Sequence, residues 1–267
     1  MELLLLLGIG LTIGGIALAL DDDDDDVTGE KITGTEEKDD LAGAEGNDTV
    51  FAGDGIDIVD GNGGDDRLFG QEGEDLLVGG EGNDFLRGGA DADLILDGTG
   101  NDTLIGDLGD DLIVATSALD PTATIEALRD WIANDDPDEA VQLDFDLSAD
   151  TDDDADVIIG GFGDDDVYAG SGDTVSLGAG EDALVLGDWI EPGDEPVVLT
   201  DYNPAEDLLF YNYDGSGPAP EITVEDAPAE SGGEDDVLLK ANGSVFARIE
   251  GAGGLISPHN IWVLERA

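Results

Sequence analysis

Residues 34–114 read GTEEKDDLA, GAEGNDTVF, AGDGIDIVD, GNGGDDRLF, GQEGEDLLV, GGEGNDFLR, GGADADLIL, DGTGNDTLI and GDLGDDLIV, nine nonapeptides in one frame from Gly34 to Val114. Position six is always aspartate: Asp39, Asp48, Asp57, Asp66, Asp75, Asp84, Asp93, Asp102 and Asp111. Position eight is always aliphatic: Leu41, Val50, Val59, Leu68, Leu77, Leu86, Ile95, Leu104 and Ile113. Two fixed positions over so many consecutive units are not coincidence. A second block, residues 151–185, resumes the frame as TDDDADVII, GGFGDDDVY, the one-residue-short AGSGDTVS, and LGAGEDALV, with Asp156, Asp165, Asp173 and Asp182 as its aspartates.

The spacing has a physical reading. Glycines at positions two and four tolerate positive φ, so the first six residues of a unit form a turn that directs main-chain carbonyls inward. The last three residues form a short strand whose eighth position faces the interior. Two units then make one coil of a flattened helix, with an aliphatic ladder between two parallel sheets. Units n and n+2 share an edge, which places Asp48, Asp66, Asp84 and Asp102 in one row and Asp39, Asp57, Asp75, Asp93 and Asp111 in the other. Carboxylates stacked about 4.8 Å apart repel strongly unless a cation lies between successive turns. Oxygen-only donors in a multi-carbonyl shell favour Ca²⁺ over Mg²⁺ and over softer metals.

These units resemble the RTX, or haemolysin-type, calcium-binding nonapeptide G-G-x-G-x-D-x-U-x; Gly79 to Arg87 matches it at every defined position. The resemblance implies a parallel β-roll in which the position-six aspartates and the carbonyls of the glycine turns bind several Ca²⁺ ions. Carried over residue by residue, that role falls on the thirteen aspartates named above. Glu37 replaces the position-four glycine of the first unit, which suggests a cap with an incomplete site. Asp91 and Asp154 occupy the same position in their units, where Asp can visit the left-handed region. The short unit puts Asp173 apart from the others.

Composition narrows the partners. The chain has 267 residues, 48 of them Asp and 41 Gly, and its formal net charge is −60. Nucleic acid is excluded and anionic lipid surfaces are disfavoured, since both require the basic patch that is lacking. There is no Cys and a single histidine, His259, which removes thiolate sites and the usual zinc centres. Neither HExxH nor GxSxG occurs, and the repeats begin too early to leave room for a preceding catalytic domain. The expected protein is not an enzyme. Salt-adapted proteins also carry acidic surfaces, but that cannot explain a nine-residue phase. The sequons at Asn47, Asn101 and Asn242 read as accidents, two of them being repeat residues.

Leu3 to Leu20 is uncharged and long enough to cross a bilayer, so the expectation for residues 1–20 is a transmembrane or signal-anchor helix that provides a membrane contact. Cleavage near Ala19, giving a secreted protein, is the alternative. Residues 21–33, opening with six aspartates, read as an acidic spacer. Calcium supply places the roll outside the cytoplasm, since extracellular-strength sites would stay empty at cytosolic concentrations.

Residues 115–150 break the period; DPTATIEALRDWIAND carries an N-cap candidate at Asp120 and an amphipathic pattern through Ile125, Leu128, Trp131 and Ile132. A short helix covering an end or flank of the roll is expected. Gln142 to Leu147 alternates as a strand. Residues 186–267 contain strand-like runs at 197–200, 208–211, 222–224, 237–239, 245–249 and 261–264, read as an antiparallel β cap. Within them, Thr200 to Phe210 resembles the D-F-x-x-x-x-D segment that follows RTX rolls, with Tyr202 for Phe. Trp189 and Trp262 are expected in the core. Were aromatics of this cap exposed instead, an adhesin-like module that binds a glycan or a protein partner through the C-terminal region would be the alternative function. The whole is thus expected to be all-β: a parallel β-roll in two blocks with a helical insertion, an antiparallel β C-terminal cap and an N-terminal transmembrane helix.

Overall fold

The structure is a computed structural model that describes residues 29–116, 123–125, 154–229 and 235–265, and the backbone of 16–18. Its strands form two sheets. The first runs β1 (Ile16–Leu18), β3 (Asp40–Ala42), β5 (Ile58–Asp60), β7 (Leu76–Glu81), β9 (Leu94–Thr99), β11 (Leu112–Ala115), β13 (Asp166–Ala169), β15 (Ala183–Gly187), β17 (Leu208–Tyr213) and β21 (Ile261–Glu265). The second runs β2 (Lys31–Thr33), β4 (Thr49–Asp54), β6 (Arg67–Glu72), β8 (Phe85–Ala90), β10 (Thr103–Leu108), β12 (Val157–Phe162), β14 (Thr174–Ala179), β16 (Val197–Leu199), β20 (Ser244–Ile249), β19 (Asp236–Ala241) and β18 (Ile222–Ala227). Successive nonapeptides alternate between the sheets, so each strand pairs in parallel with the strand two units away.

Register follows the position-eight residues. In the first sheet Leu41, Val59, Leu77, Ile95, Ile113, Val167 and Leu184 stand opposite one another in turn. Val50, Leu68, Leu86, Leu104, Ile158 and Val175 do so in the second. All are buried in one shared core, which settles the register because a one-residue slip would turn the whole aliphatic set outward. The insertion interrupts the sequence without interrupting the stack. Leu104 meets Ile158 and Ile113 meets Val167 directly, so the two blocks form one continuous roll.

The outer faces differ. On the first sheet Ile58, Leu76, Val78, Leu96 and Val114 form a second apolar cluster, and Ile125 of the insertion packs into it. Residues 123–125 are helical, in keeping with the amphipathic pattern; the rest of that helix, and the strand expected at 142–147, lie outside the described residues. On the second sheet Leu108, Val157, Ile159 and Phe162 are exposed.

Parallel stacking does not stop at Val185. Leu209 and Ile261 prolong the first ladder and Leu199 and Ile249 the second, so β16, β17, β20 and β21 are further rungs. Among the described residues antiparallel pairing is confined to β18, β19 and β20. Asn242 and Gly243, with φ of 51° and 89°, make the two-residue turn between β19 and β20, the Asn-Gly pair such hairpins favour. That accounts for Asn242 without any modification.

Two expectations are corrected. Ile16–Leu18 is a strand, not part of a transmembrane helix, and pairs in parallel with Asp40–Ala42, with Ala17 opposite Leu41. The open edge of β3 supplies the reason: its unpaired N–H and C=O groups are satisfied by an apolar strand laid along it. Among the described residues no helix is long and apolar enough to cross a membrane, and the rest of residues 1–20 and the spacer up to Thr28 lie outside them. Trp189 is buried as expected, its indole N–H donating to the Ala169 carbonyl at 3.0 Å, but Trp262 is 58% exposed. Trp262 lies on β21, the edge strand of its sheet among the described residues.

Candidate metal centres

Each repeat turn is shaped by its glycines. At Gly82, position four of the unit matching the consensus throughout, φ is 134°, and a Cβ would lie 2.1 Å from the Gly64 carbonyl of the preceding coil. Asp91 holds this position in its own unit at φ 75°, the left-handed conformation anticipated for it.

The turn buries the position-six aspartate. Asp39, Asp48, Asp57, Asp66, Asp75, Asp84, Asp93, Asp102, Asp111, Asp156, Asp165, Asp173 and Asp182 are all no more than 4% exposed. Each Oδ1 from Asp57 onward accepts the main-chain N–H of the equivalent aspartate one coil earlier. One ladder climbs from Asp48 through Asp66, Asp84 and Asp102 to Asp156 and Asp173, at 2.7–3.0 Å. The other climbs from Asp39 through Asp57, Asp75, Asp93 and Asp111 to Asp165 and Asp182, at 2.7–3.0 Å. These are the two rows given by the spacing, and both cross the insertion.

The second oxygen of each carboxylate separates the sites. At the start of the roll it is occupied: Asp39 Oδ2 accepts from the Thr35 N–H at 2.5 Å and Oγ at 2.9 Å, and Asp48 Oδ2 from the Ala44 N–H at 2.8 Å. In the short unit Asp173 Oδ2 accepts the Gly170 N–H at 2.7 Å. By contrast, Oδ2 of Asp57, Asp66, Asp75, Asp84, Asp93, Asp111, Asp165 and Asp182 is buried with no hydrogen-bond partner. Burial pushes the carboxyls of Asp57 and Asp111 up to about 6, Asp66 and Asp165 to about 7, Asp75 to about 8 and Asp93 to about 9, against the opposing effect of the ladder hydrogen bonds. Neighbouring carboxylates add to this rise. Among the described residues the Arg87–Asp107, Lys240–Glu225 and Arg248–Asp236 ion pairs all lie elsewhere.

Position one makes room for the unpartnered oxygens. A Cβ on Gly61, Gly70, Gly79, Gly88, Gly106 or Gly160 would fall 2.2–2.6 Å from Oδ2 of the aspartate in its own unit. Main-chain oxygens from the next coil approach Gly61, Gly79, Gly106 and Gly160 to 2.2–2.5 Å of the same point. Buried, unpartnered carboxylate oxygen beside converging carbonyls is a donor set for a hard divalent cation. Among the described residues no group of three or more His, Cys, Asp or Glu side chains suffices to hold a metal, so a cation here depends on main-chain oxygen as well.

The family model of the RTX calcium-binding nonapeptide repeat matches residues 33–68, 42–77, 51–86, 60–95, 87–117 and 149–175. The chain belongs to the RTX repeat family. Membership implies calcium binding by the repeats, and the buried aspartates fit that ion. No curated protein matches the chain as a relative.

Sequence reading missed two residues of the RTX roll. Asp207, 7% exposed, extends the second row: the Asp182 main chain bonds to it as the other rungs bond, and Leu209 two residues on fills the inward position. The Asp-x-aliphatic signal was present, but the turn before it is long and lacks the glycines of the repeat. Asp201 ends the glycine turns by accepting from the Leu177 and Gly178 N–H groups and Ser176 Oγ at 2.7–3.0 Å. The other missed residue, Asp97, stands at position one, where most units have Gly.

Proposed function

We propose that this protein is a non-catalytic, calcium-stabilised surface protein whose roll folds when Ca²⁺ binds between its turns. The observation that carries the reading is the pair of continuous ladders in which interior aspartates turn one unpartnered, buried oxygen toward the glycine cradle. Asp39, Asp48, Asp57, Asp66, Asp75, Asp84, Asp93, Asp102, Asp111, Asp156, Asp165, Asp173 and Asp182 supply the carboxylates. The interior members are the stronger ligands, because those at the first coil and the short unit already spend Oδ2 on main-chain donors. Bound calcium neutralises stacked charge, so binding free energy is folding free energy. Calcium titration of the full chain, followed by circular dichroism and reversed with EDTA, tests this. A β signal unchanged by EDTA would overturn it.

The compartment follows from calcium supply: sites with Kd on the order of 10⁻⁴–10⁻³ M fill outside the cytoplasm, not within it. Of the apolar run from Leu3 to Leu20, the part that precedes the strand Ile16–Leu18 is the segment that would direct export and contact the membrane. In intact spheroplasts, protease with EDTA should degrade the roll; protection until lysis would place it in the cytoplasm.

A second reading, an adhesin-like module for a glycan or protein partner, is favoured by the exposure of Trp262 beside Val263 and Leu264 on β21. It predicts that a ligand quenches or shifts Trp262 fluorescence.

A further inference from the structure

In β9, Asp97 pairs in register between its neighbours Gly79 and Ala115, because Leu96 stands opposite Val78 and Gly98 opposite Gly80. Its side chain is only 3% exposed, and its Oδ1 accepts the Gly98 N–H at 2.6 Å. In the neighbouring coils, Gly43, Gly61, Gly79 and Ala115 put only hydrogen or methyl at this point of the column. The vacant Cβ positions of Gly43, Gly61 and Gly79 lie 2.4–2.6 Å from the Oδ2 atoms of their units' own aspartates. Asp97 thus brings a second buried carboxylate into the turn that holds Asp102.

One coil earlier, an independent feature points at the same place. Asp84 Oδ2 is unpartnered, its residue 3% exposed, and it lies 2.6 Å from the Cβ position of Gly79. The Asp97 carbonyl lies 2.2 Å from that same position. An unsatisfied carboxylate oxygen and the Asp97 main chain therefore converge on the gap between the two coils.

We infer that Asp97 is an extra cation ligand outside the repeat pattern and, with Asp102 and the main-chain oxygens of the turn, makes this level the strongest divalent-cation site of the roll. The inference rests on calcium binding by the repeats. Ligand charge count tunes the affinity of oxygen sites, so a turn with two carboxylates binds a hard divalent ion more tightly than one with a single carboxylate. The level also adjoins the joint where the Asp102 N–H meets Asp156 Oδ1 at 2.7 Å, across the insertion. First filling here would fix the coil on which the second block docks.

Calcium isotherms of the full chain, with Asp97→Gly and Asp97→Asn, test the inference. Asp97→Gly restores the repeat pattern and keeps the turn foldable. Both variants should weaken the tightest class of sites on the order of tenfold while leaving the number of weaker sites unchanged. Terbium luminescence should show the first equivalent excited through a different environment in each. Wild-type isotherms in both variants, or tighter first binding in Asp97→Gly, would overturn the assignment of Asp97. Absence of calcium binding by the wild-type chain would overturn the underlying calcium reading instead.

Discussion

Two buried aspartates, Asp84 in the roll and Asp236 at its C-terminal end, solve one problem in opposite ways. Asp236 is 1% exposed, pairs with Arg248 at 2.7 Å and accepts the Gly251 N–H at 3.1 Å. Asp84 is equally hidden, yet one oxygen has no partner. Around Asp236 the chain also packs Tyr211 against Phe246, with ring centroids 4.7 Å apart, and buries Val237, Leu239 and Ile249. The roll offers one fully inward aliphatic residue per nonapeptide and many more carboxylates. The C-terminal end is therefore held by side chains the sequence itself supplies, whereas the roll leaves charge for an ion to complete.

The largest expected effect breaks the molecule along that contrast. On chelation, amide protection over 34–185 should collapse, while β18, β19 and β20 keep more of theirs. Hydrogen exchange read by segment with and without EDTA checks this. Uniform loss would show that the end depends on the roll, and no loss would remove the calcium requirement.

Next in size is the protein's own pair. Arg248→Ala should destabilise the C-terminal end by about 3–5 kcal/mol, because it strands the Asp236 charge in the core. The loss should be the same in calcium and in EDTA. A loss that calcium restores would mean that the end, too, relies on metal.

A smaller change carries a change of sign. Asp84→Asn should lower stability in calcium and raise it in EDTA, each by about 1–3 kcal/mol, the cost of one buried unsatisfied polar group. Asp39→Asn should move both less, because Thr35 already satisfies Asp39 Oδ2. Urea unfolding of both variants with and without calcium distinguishes them. Equal shifts would contradict the difference between end and interior sites.

Much of this was legible because a fixed phase constrains every coil at once. Position eight had to face inward and position six had to lie in the turn, so both ladders and their edges could be assigned from spacing alone. The strands at 208–213 and 244–249 were also visible, but their pairing was not: only the stack shows that Leu209 and Ile249 continue the ladders rather than closing them. Exposure of Trp262 was hidden because its aliphatic neighbours suit either a core or a bare final strand. Saturation of Asp39, Asp48 and Asp173 depends on local N–H geometry, which residue type does not encode. The helical expectation for the first residues failed at Ile16–Leu18 because apolarity does not distinguish a strand on an open edge from a spanning helix.

Acid should stabilise the metal-free roll. Carboxyls raised to about 6–9 in the folded state, from Asp57 to Asp93, bind protons there that the unfolded chain has already released. Their contribution is fully present below the unfolded value of about 4 and is lost as pH rises through 6–9. In EDTA the melting temperature should therefore be higher at pH 5 than at pH 9. Saturating calcium should reverse the slope, since the ion requires ionised carboxylates. A roll in EDTA that is more stable at pH 9 would show that these side chains are not desolvated as described.

The smallest effect concerns the bare face of the C-terminal end. Trp262 is 58% exposed while Trp189 is 9% exposed, so the two indoles should separate under substitution. Trp262→Ser should change stability by no more than about 0.5 kcal/mol, as expected for a surface position. Trp189→Ala should cost about 3–5 kcal/mol, because it empties a packed volume and leaves the Ala169 carbonyl without its donor. Thermal melts of the two variants in calcium give both numbers. A large loss from Trp262→Ser would mean that the indole is covered in solution, by a segment of this chain or by a second copy. A small loss combined with abolished ligand capture would instead make β21 the recognition strand of an adhesin-like module.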